Sequence, residues 1–191
     1  RTLHRLNTRP WMFARGCAGL GALTAGGSND PNAGWISLFD GKSLDGWKAS
    51  ENKDTFAVKD GMIVANGSRS HLFYVGPVHD ANLTNFELKA EIMTKAKSNS
   101  GIYFHTTYQE TGWPDKGFEV QINNTHSDWK KTGSLYNVVN VRVAKTPGQP
   151  SKDIVDVNTP LAQDDKWFTE YVKVQGKRIL IKVNDKVAVD W

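Results

Sequence analysis

Two residues near the middle of the chain could move a proton, Glu119 and His105. They lie in a stretch that reads NSGIYFHTTYQ from Asn99, then a turn-rich ETGWPDK, then GFEVQINNT from Gly117, then HSDWKKTGSLY to Tyr136. One carboxylate with one imidazole suits removal of a proton next to a carbonyl. Either could be the base, with Gln121, Asn123 or Tyr136 donating hydrogen bonds to a developing enolate oxygen. Flat aromatic rings stack on the C–H faces of sugars, and Tyr103, Trp113, Trp129 and Tyr136 crowd into this segment. The expected site is therefore Glu119 and His105 for acid/base work, with Tyr103, Trp113, Gln121, Asn123 and Tyr136 contacting a sugar. A solvated sheet face, a cross-strand ion pair and a structural histidine are the plainer readings of the same residues.

Other chemistries fit less well. Ordinary glycoside hydrolysis needs two carboxyl groups about 5–5.5 Å or about 6.5–9.5 Å apart. A strand can supply both as Glu-x-Asp-x-Glu, because alternate side chains share a face. Here that spacing reads Glu119-Val120-Gln121-Ile122-Asn123, and amides neither donate a proton nor attack an anomeric carbon. No cofactor is predicted. Asp40, Asp45, Asp60 and Glu119 offer oxygen to Ca2+, but without EF-hand spacing, and Asp-Gly turns account for the aspartates. The five histidines have no HExxH-type spacing, and a single cysteine excludes a cysteine-based zinc site and an intrachain disulfide. No G-x-S-x-G elbow is present to support a serine triad.

The elements that must hold these residues read as strands. Ile102, Phe104 and Thr106 alternate with Tyr103, His105 and Thr107. Phe118, Val120 and Ile122 alternate with Glu119, Gln121 and Asn123. If the two strands pair, the polar set shares an open face. Elsewhere the pattern repeats. TFAVKDGMIVANG reads as a hairpin around Lys59-Asp60-Gly61. NFELKAEIMTKA turns Phe86, Leu88, Ala90 and Ile92 inward, and residues 138–143 alternate. The closing 25 residues, 167–191, read as a three-strand meander with Val172, Val174, Ile179, Ile181 and Val183 inward. TPGQPSKD is a loop. With ten or more short strands, no convincing helical periodicity and no internal repeat, the expected fold class is all-β, a sandwich or barrel.

At 191 residues, with 23% charged and 10% aromatic, the chain has the composition and room for one ordinary globular domain. The net charge of +4 comes from Arg1, Arg5, Arg9 and Arg15; the remaining 20 basic residues match 20 acidic ones. No nucleic-acid footprint follows. Residues 1–33 run from Arg-rich to small and weakly apolar to a polar linker, like a signal segment. They are expected to stand outside the fold, which leaves residues 34–191 as the domain. Export is the expected consequence: periplasmic, outer-membrane-associated or secreted. Cys17, after Ala14-Arg15-Gly16, is similar to a bacterial lipoprotein cleavage site and marks the place for a lipid anchor. No run of 18 apolar residues exists, so no transmembrane helix is expected.

Leu38-Phe39-Asp40-Gly41-Lys42-Ser43-Leu44-Asp45-Gly46-Trp47 resembles the LFDGKSLDGW signature of the 3-keto-disaccharide hydrolase domain family. Asn85-Phe86-Glu87-Leu88, Asn99-Ser100-Gly101-Ile102-Tyr103-Phe104 and Gly117-Phe118-Glu119-Val120-Gln121-Ile122 agree, as do Thr132-Gly133-Ser134-Leu135-Tyr136 and the later Trp167, Tyr171 and Val183-Asn184. The resemblance spans about residues 35–191. It implies a concanavalin A-like jelly-roll sandwich of two antiparallel sheets with a concave sugar face. It also implies export in bacteria that degrade polysaccharides, and cleavage of glycosides already oxidised at C3. A 3-keto group acidifies the C2 proton; its loss permits elimination at C1, after which water can add. Two features depart from the family: Arg often follows NSGIYF where this chain has His105, and relatives close with one or two more strands than this chain has. The last strand of the domain is therefore expected to be missing or replaced. The alternatives are a carbohydrate-binding module without catalysis and a structural domain of a cell-surface protein.

Overall fold

Period-two alternation builds nearly every element. The computed structural model describes residues 4–6, 13–16, 34–137, 154–155 and 157–191. In chain order the strands are β1 (His4–Leu6), β2 (Phe13–Gly16), β3 (Ile36–Ser37), β4 (Trp47–Ala49), β5 (Phe56–Lys59), β6 (Met62–Ala65), β7 (Leu72–Tyr74) and β8 (Phe86–Thr94). They continue with β9 (Ser100–Phe104), β10 (Phe118–Ile122), β11 (Leu135–Asn137), β12 (Ile154–Val155), β13 (Phe168–Gln175), β14 (Arg178–Val183) and β15 (Lys186–Asp190). Cys17, the strand expected at 138–143 and the expected 146–153 loop lie outside the described residues.

The larger sheet runs β15-β14-β13-β8-β1-β6-β5, with β2 paired to β8 and β3. The smaller runs β12-β11-β10-β9, and β4 pairs with β7 as a two-stranded ribbon. All these pairings are antiparallel. The two main sheets pack as a jelly-roll sandwich. Phe86, Ile92, Val172 and Ile181 of one face meet Phe104, Val120, Ile122 and Leu135 of the other. All but Leu135 are residues that alternation placed inward, and burying each such side chain is worth about 1.5–3 kcal/mol. The segment 1–33, expected to stand outside the fold, contributes β1 and β2 to the larger sheet. His4 and Arg5 pair with Thr94 and Met93 of β8, and residues 13–16 pair with residues 86–89. Backbone pairing explains this, because it satisfies N–H and C=O groups whatever the side chains are.

Turn chemistry fixes register. Lys59 faces Met62 across a two-residue turn in which Asp60 and Gly61 have φ of 52° and 72°. Positive φ at both positions is what a primed hairpin turn requires. Helical structure among the described residues amounts to two 3-10 turns, Lys53–Thr55 and Val78–Ala81. Among these residues no helix is long and apolar enough to cross a membrane.

Candidate functional site

The face of β9 and β10 turned away from the core opens into a cleft of about 1240 Å³. Register sets out its floor. Glu119 of β10 stands opposite Tyr103 of β9 and Tyr136 of β11, so a carboxylate lies between two phenols across three strands. Gln121, the next residue on that face, stands opposite Gly101. Glycine is needed there for room rather than for φ. A Cβ at Gly101 would run into the Glu119 carboxylate and stand 2.6 Å from Glu119 Cγ. The Glu119 side chain therefore lies over the gap that Gly101 leaves. Gln121 Nε2 donates to Asn99 Oδ1 at 2.7 Å, and Asn99 Nδ2 lies 3.4 Å from His126 Nδ1. Lys130 Nζ sits 4.4 Å over the Tyr136 ring, which is itself buried.

Glu170 lies behind this floor. It is 0% exposed, and among the described residues neither carboxyl oxygen has a hydrogen-bond partner. Burial first, and then the charge on Glu119, push its carboxyl well above the usual range. Both effects favour the neutral acid at Glu170.

The structure brings Tyr103, Glu119, Gln121 and Tyr136 together, with Trp113 on the rim at 52% exposure. The other two expected site residues each lie one position past the end of a strand, His105 on the border of the same cleft and Asn123 outside its lining. His105 follows Phe104 with φ of 54°, so alternation stops there. Gly117, at φ 92°, lets the returning chain pass where a Cβ would clash with the Phe104 and His105 carbonyls. The His105 ring packs near Phe86, Phe104 and Phe118, and its Nε2 lies 2.9 Å from the Thr84 carbonyl oxygen. It borders the cleft, but Tyr103, not His105, stands opposite Glu119. Asn123 is fully buried. Its Nδ2 donates to the carbonyls of Asp128 and Lys130 at 2.9 and 2.8 Å, and its Oδ1 accepts the His126 N–H at 2.9 Å. Asn123 braces the 124–130 loop and does not face a sugar.

Several residues at the cleft carried no local signal in the sequence. The His71 ring stands edge-on to Tyr103 at 5.4 Å and to Trp113 at 5.3 Å. Arg69 forks onto Glu51 through Nε and Nη2 at 2.7 and 3.3 Å. That hydrogen bond is the largest cause holding the Glu51 carboxyl below the usual range, with smaller help from the Gly112 N–H and the charge of His71. Gly112 N–H reaches Glu51 Oε1 at 3.3 Å, tying the 109–115 loop to the β4–β7 side. Within that loop Gln109 donates to the Thr111 and Trp113 carbonyls and accepts the Asp115 N–H. Asp128 also lines the cleft, with Oδ1 accepting the Lys130 N–H at 3.0 Å.

The Asp40 carboxylate accepts the Lys42 and Ser43 N–H groups at 2.8 Å each, which lowers its pKa and builds the turn. Among the described residues no three His, Cys, Asp or Glu side chains gather as a metal site.

The fold is an all-β jelly-roll sandwich with an aromatic-rimmed cleft on one sheet. The chain is a member of the 3-keto-alpha-glucoside-1,2-lyase-like domain family, whose model matches residues 34–191. The crystal structure of a candidate glycosyl hydrolase from Parabacteroides distasonis ATCC 8503 has a similar fold. It is 24% identical, with 82% of this chain and 70% of that one covered, at a TM-score of 0.57. No protein of curated function matches the chain.

Proposed function

We propose that the protein cleaves 3-keto-α-glucosides by elimination, acting outside the cytoplasm in keeping with its basic-then-apolar leader. The observation that carries this reading is the Glu119 carboxylate, seated over Gly101 and flanked by the phenol-bearing strands of Tyr103 and Tyr136. Glu119 takes the C2 proton, which the neighbouring ketone acidifies. The C2–H electron pair passes into the enolate, and Tyr103, Tyr136 and Gln121 are the donors available to the C3 oxygen. The enolate then expels the C1 substituent, leaving a C1=C2 double bond conjugated to the ketone. Water adding across that bond completes net hydrolysis.

The test is incubation with a 3-keto-α-glucoside, following release of the alcohol and absorbance of the conjugated enone. Glu119→Gln is expected to lower kcat by about 10²–10⁴-fold, the range for a lost general base. No release by the wild-type protein refutes the reading. Trp113 and Trp129, both exposed, also suit sugar stacking without chemistry. Tight binding of the 3-keto-glucoside with no turnover would establish that second reading.

A further inference from the structure

We propose that His71 is the general acid that protonates the departing C1 oxygen, an assignment that rests on the elimination reading above. Elimination has two ends. Glu119 serves the C2 proton, but the alcohol leaving C1 needs a proton of its own, and an alkoxide leaves poorly. The donor must stand between the floor that holds the keto sugar and the surface that holds the leaving group. Tyr103 is the floor residue opposite Glu119, and Trp113 is the exposed ring at the rim. His71 stands between them, edge-on to both at 5.4 and 5.3 Å with interplanar angles of 89° and 70°.

The position of His71 is fixed by its backbone. Its N–H donates to Ser50 Oγ at 3.0 Å and its carbonyl accepts the Ser50 N–H at 2.9 Å. Its Nδ1 is buried and makes no hydrogen bond among the described residues, and the exchanging proton is assigned to Nε2. The charged groups around it are Glu51, held by Arg69 from the lead-in to β7, and Glu119 across Tyr103. His105, the other histidine lining the cleft, does not compete, because it packs on phenylalanine rings with its Nε2 2.9 Å from the Thr84 carbonyl oxygen. In the step assigned here the C1–O pair goes to oxygen, the Nε2–H bond breaks and an O–H bond forms. The imidazole left neutral regains its proton from water.

Two substrates separate this role from a structural one: a 3-keto-α-glucoside with an alkyl aglycone and its p-nitrophenyl counterpart, whose phenolate leaves without a proton. His71→Gln is expected to lose about 100-fold or more in kcat on the alkyl substrate and less than about fivefold on the p-nitrophenyl one. The alkaline limb of the alkyl pH–rate profile should disappear with it. Equal losses on both substrates, or no loss on the alkyl one, overturn the assignment while leaving the elimination reading intact. A wild-type protein that cleaves neither substrate overturns both. Should His71→Gln not fold, the wild type decides alone. A rate nearly independent of leaving-group acidity supports an internal acid, and a steep dependence refutes it.

Discussion

Replacing Gly101 with alanine tests how the carboxylate is seated. The new Cβ would stand 2.6 Å from Glu119 Cγ and 2.8 Å from Cδ. Carbon atoms rest at about 3.5–4.0 Å, so the Glu119 side chain must retreat by about 1 Å. The backbone at Gly101 is not in the left-handed region, and the obstructed atoms belong to a flexible side chain, so the fold should tolerate the change within about 1 kcal/mol. The reaction should not. A general base must reach its proton within about 2.6–3.2 Å. A displacement of 1 Å costs about 100-fold, or about 2.7 kcal/mol of barrier. The assay is single-turnover cleavage of a 3-keto-α-glucoside by Gly101→Ala, alongside its thermal unfolding. A shorter acid relieves the crowding, so Glu119→Asp combined with Gly101→Ala should lose less than the product of the two single losses. Cleavage by Gly101→Ala within about threefold of wild type, or strictly multiplicative losses, would refute the claim that this gap seats the base.

Glu170 and Asn123 give two stability predictions. In acid both the folded and unfolded forms of Glu170 are protonated; past the ordinary glutamate value of about 4.3 only the unfolded chain ionises, and stability falls by up to about 1.4 kcal/mol per pH unit until the folded group ionises too. Glu170→Gln removes that loss, so its urea midpoint should gain on wild type as pH rises above the ordinary glutamate value, and a pH-independent difference would contradict a neutral buried acid. Asn123→Ala strands the Asp128 and Lys130 carbonyls and the His126 N–H, and should cost about 3 kcal/mol in urea unfolding with early loss of amide protection in residues 124–130; an unchanged midpoint would show that the brace is dispensable.

Where strands are regular, the sequence was a sufficient guide. Phe86, Leu88, Ala90 and Ile92 are buried as period two requires, as are Val172, Val174, Ile179, Ile181 and Val183. The Asp60-Gly61 turn was legible because φ above zero restricts which residues can occupy it. The site was legible in its floor, Tyr103, Glu119, Gln121 and Tyr136, because those residues lie within ladders. Alternation stops at His105 and Asn123, each the first residue beyond a strand, so the sequence pattern did not predict where their side chains go. His71, Arg69 and Glu51 were not legible at all. They come from a segment at least 32 residues before Tyr103 in the sequence, and no local period encodes a contact made only when one ribbon is laid against another sheet.

The rim carrying Trp113 has a kinetic consequence. Gln109 alone satisfies two carbonyls and an amide of its own loop, and Glu51 anchors the loop from outside. A wall preorganised in this way leaves little ordering entropy to be lost when a sugar arrives. In the elimination proposed above, entry and exit would then need no hinge, and bulk solvent would keep its route to the C1=C2 double bond. On that proposal, the same visit that expels the alcohol would end in hydration, before the unsaturated sugar diffuses away.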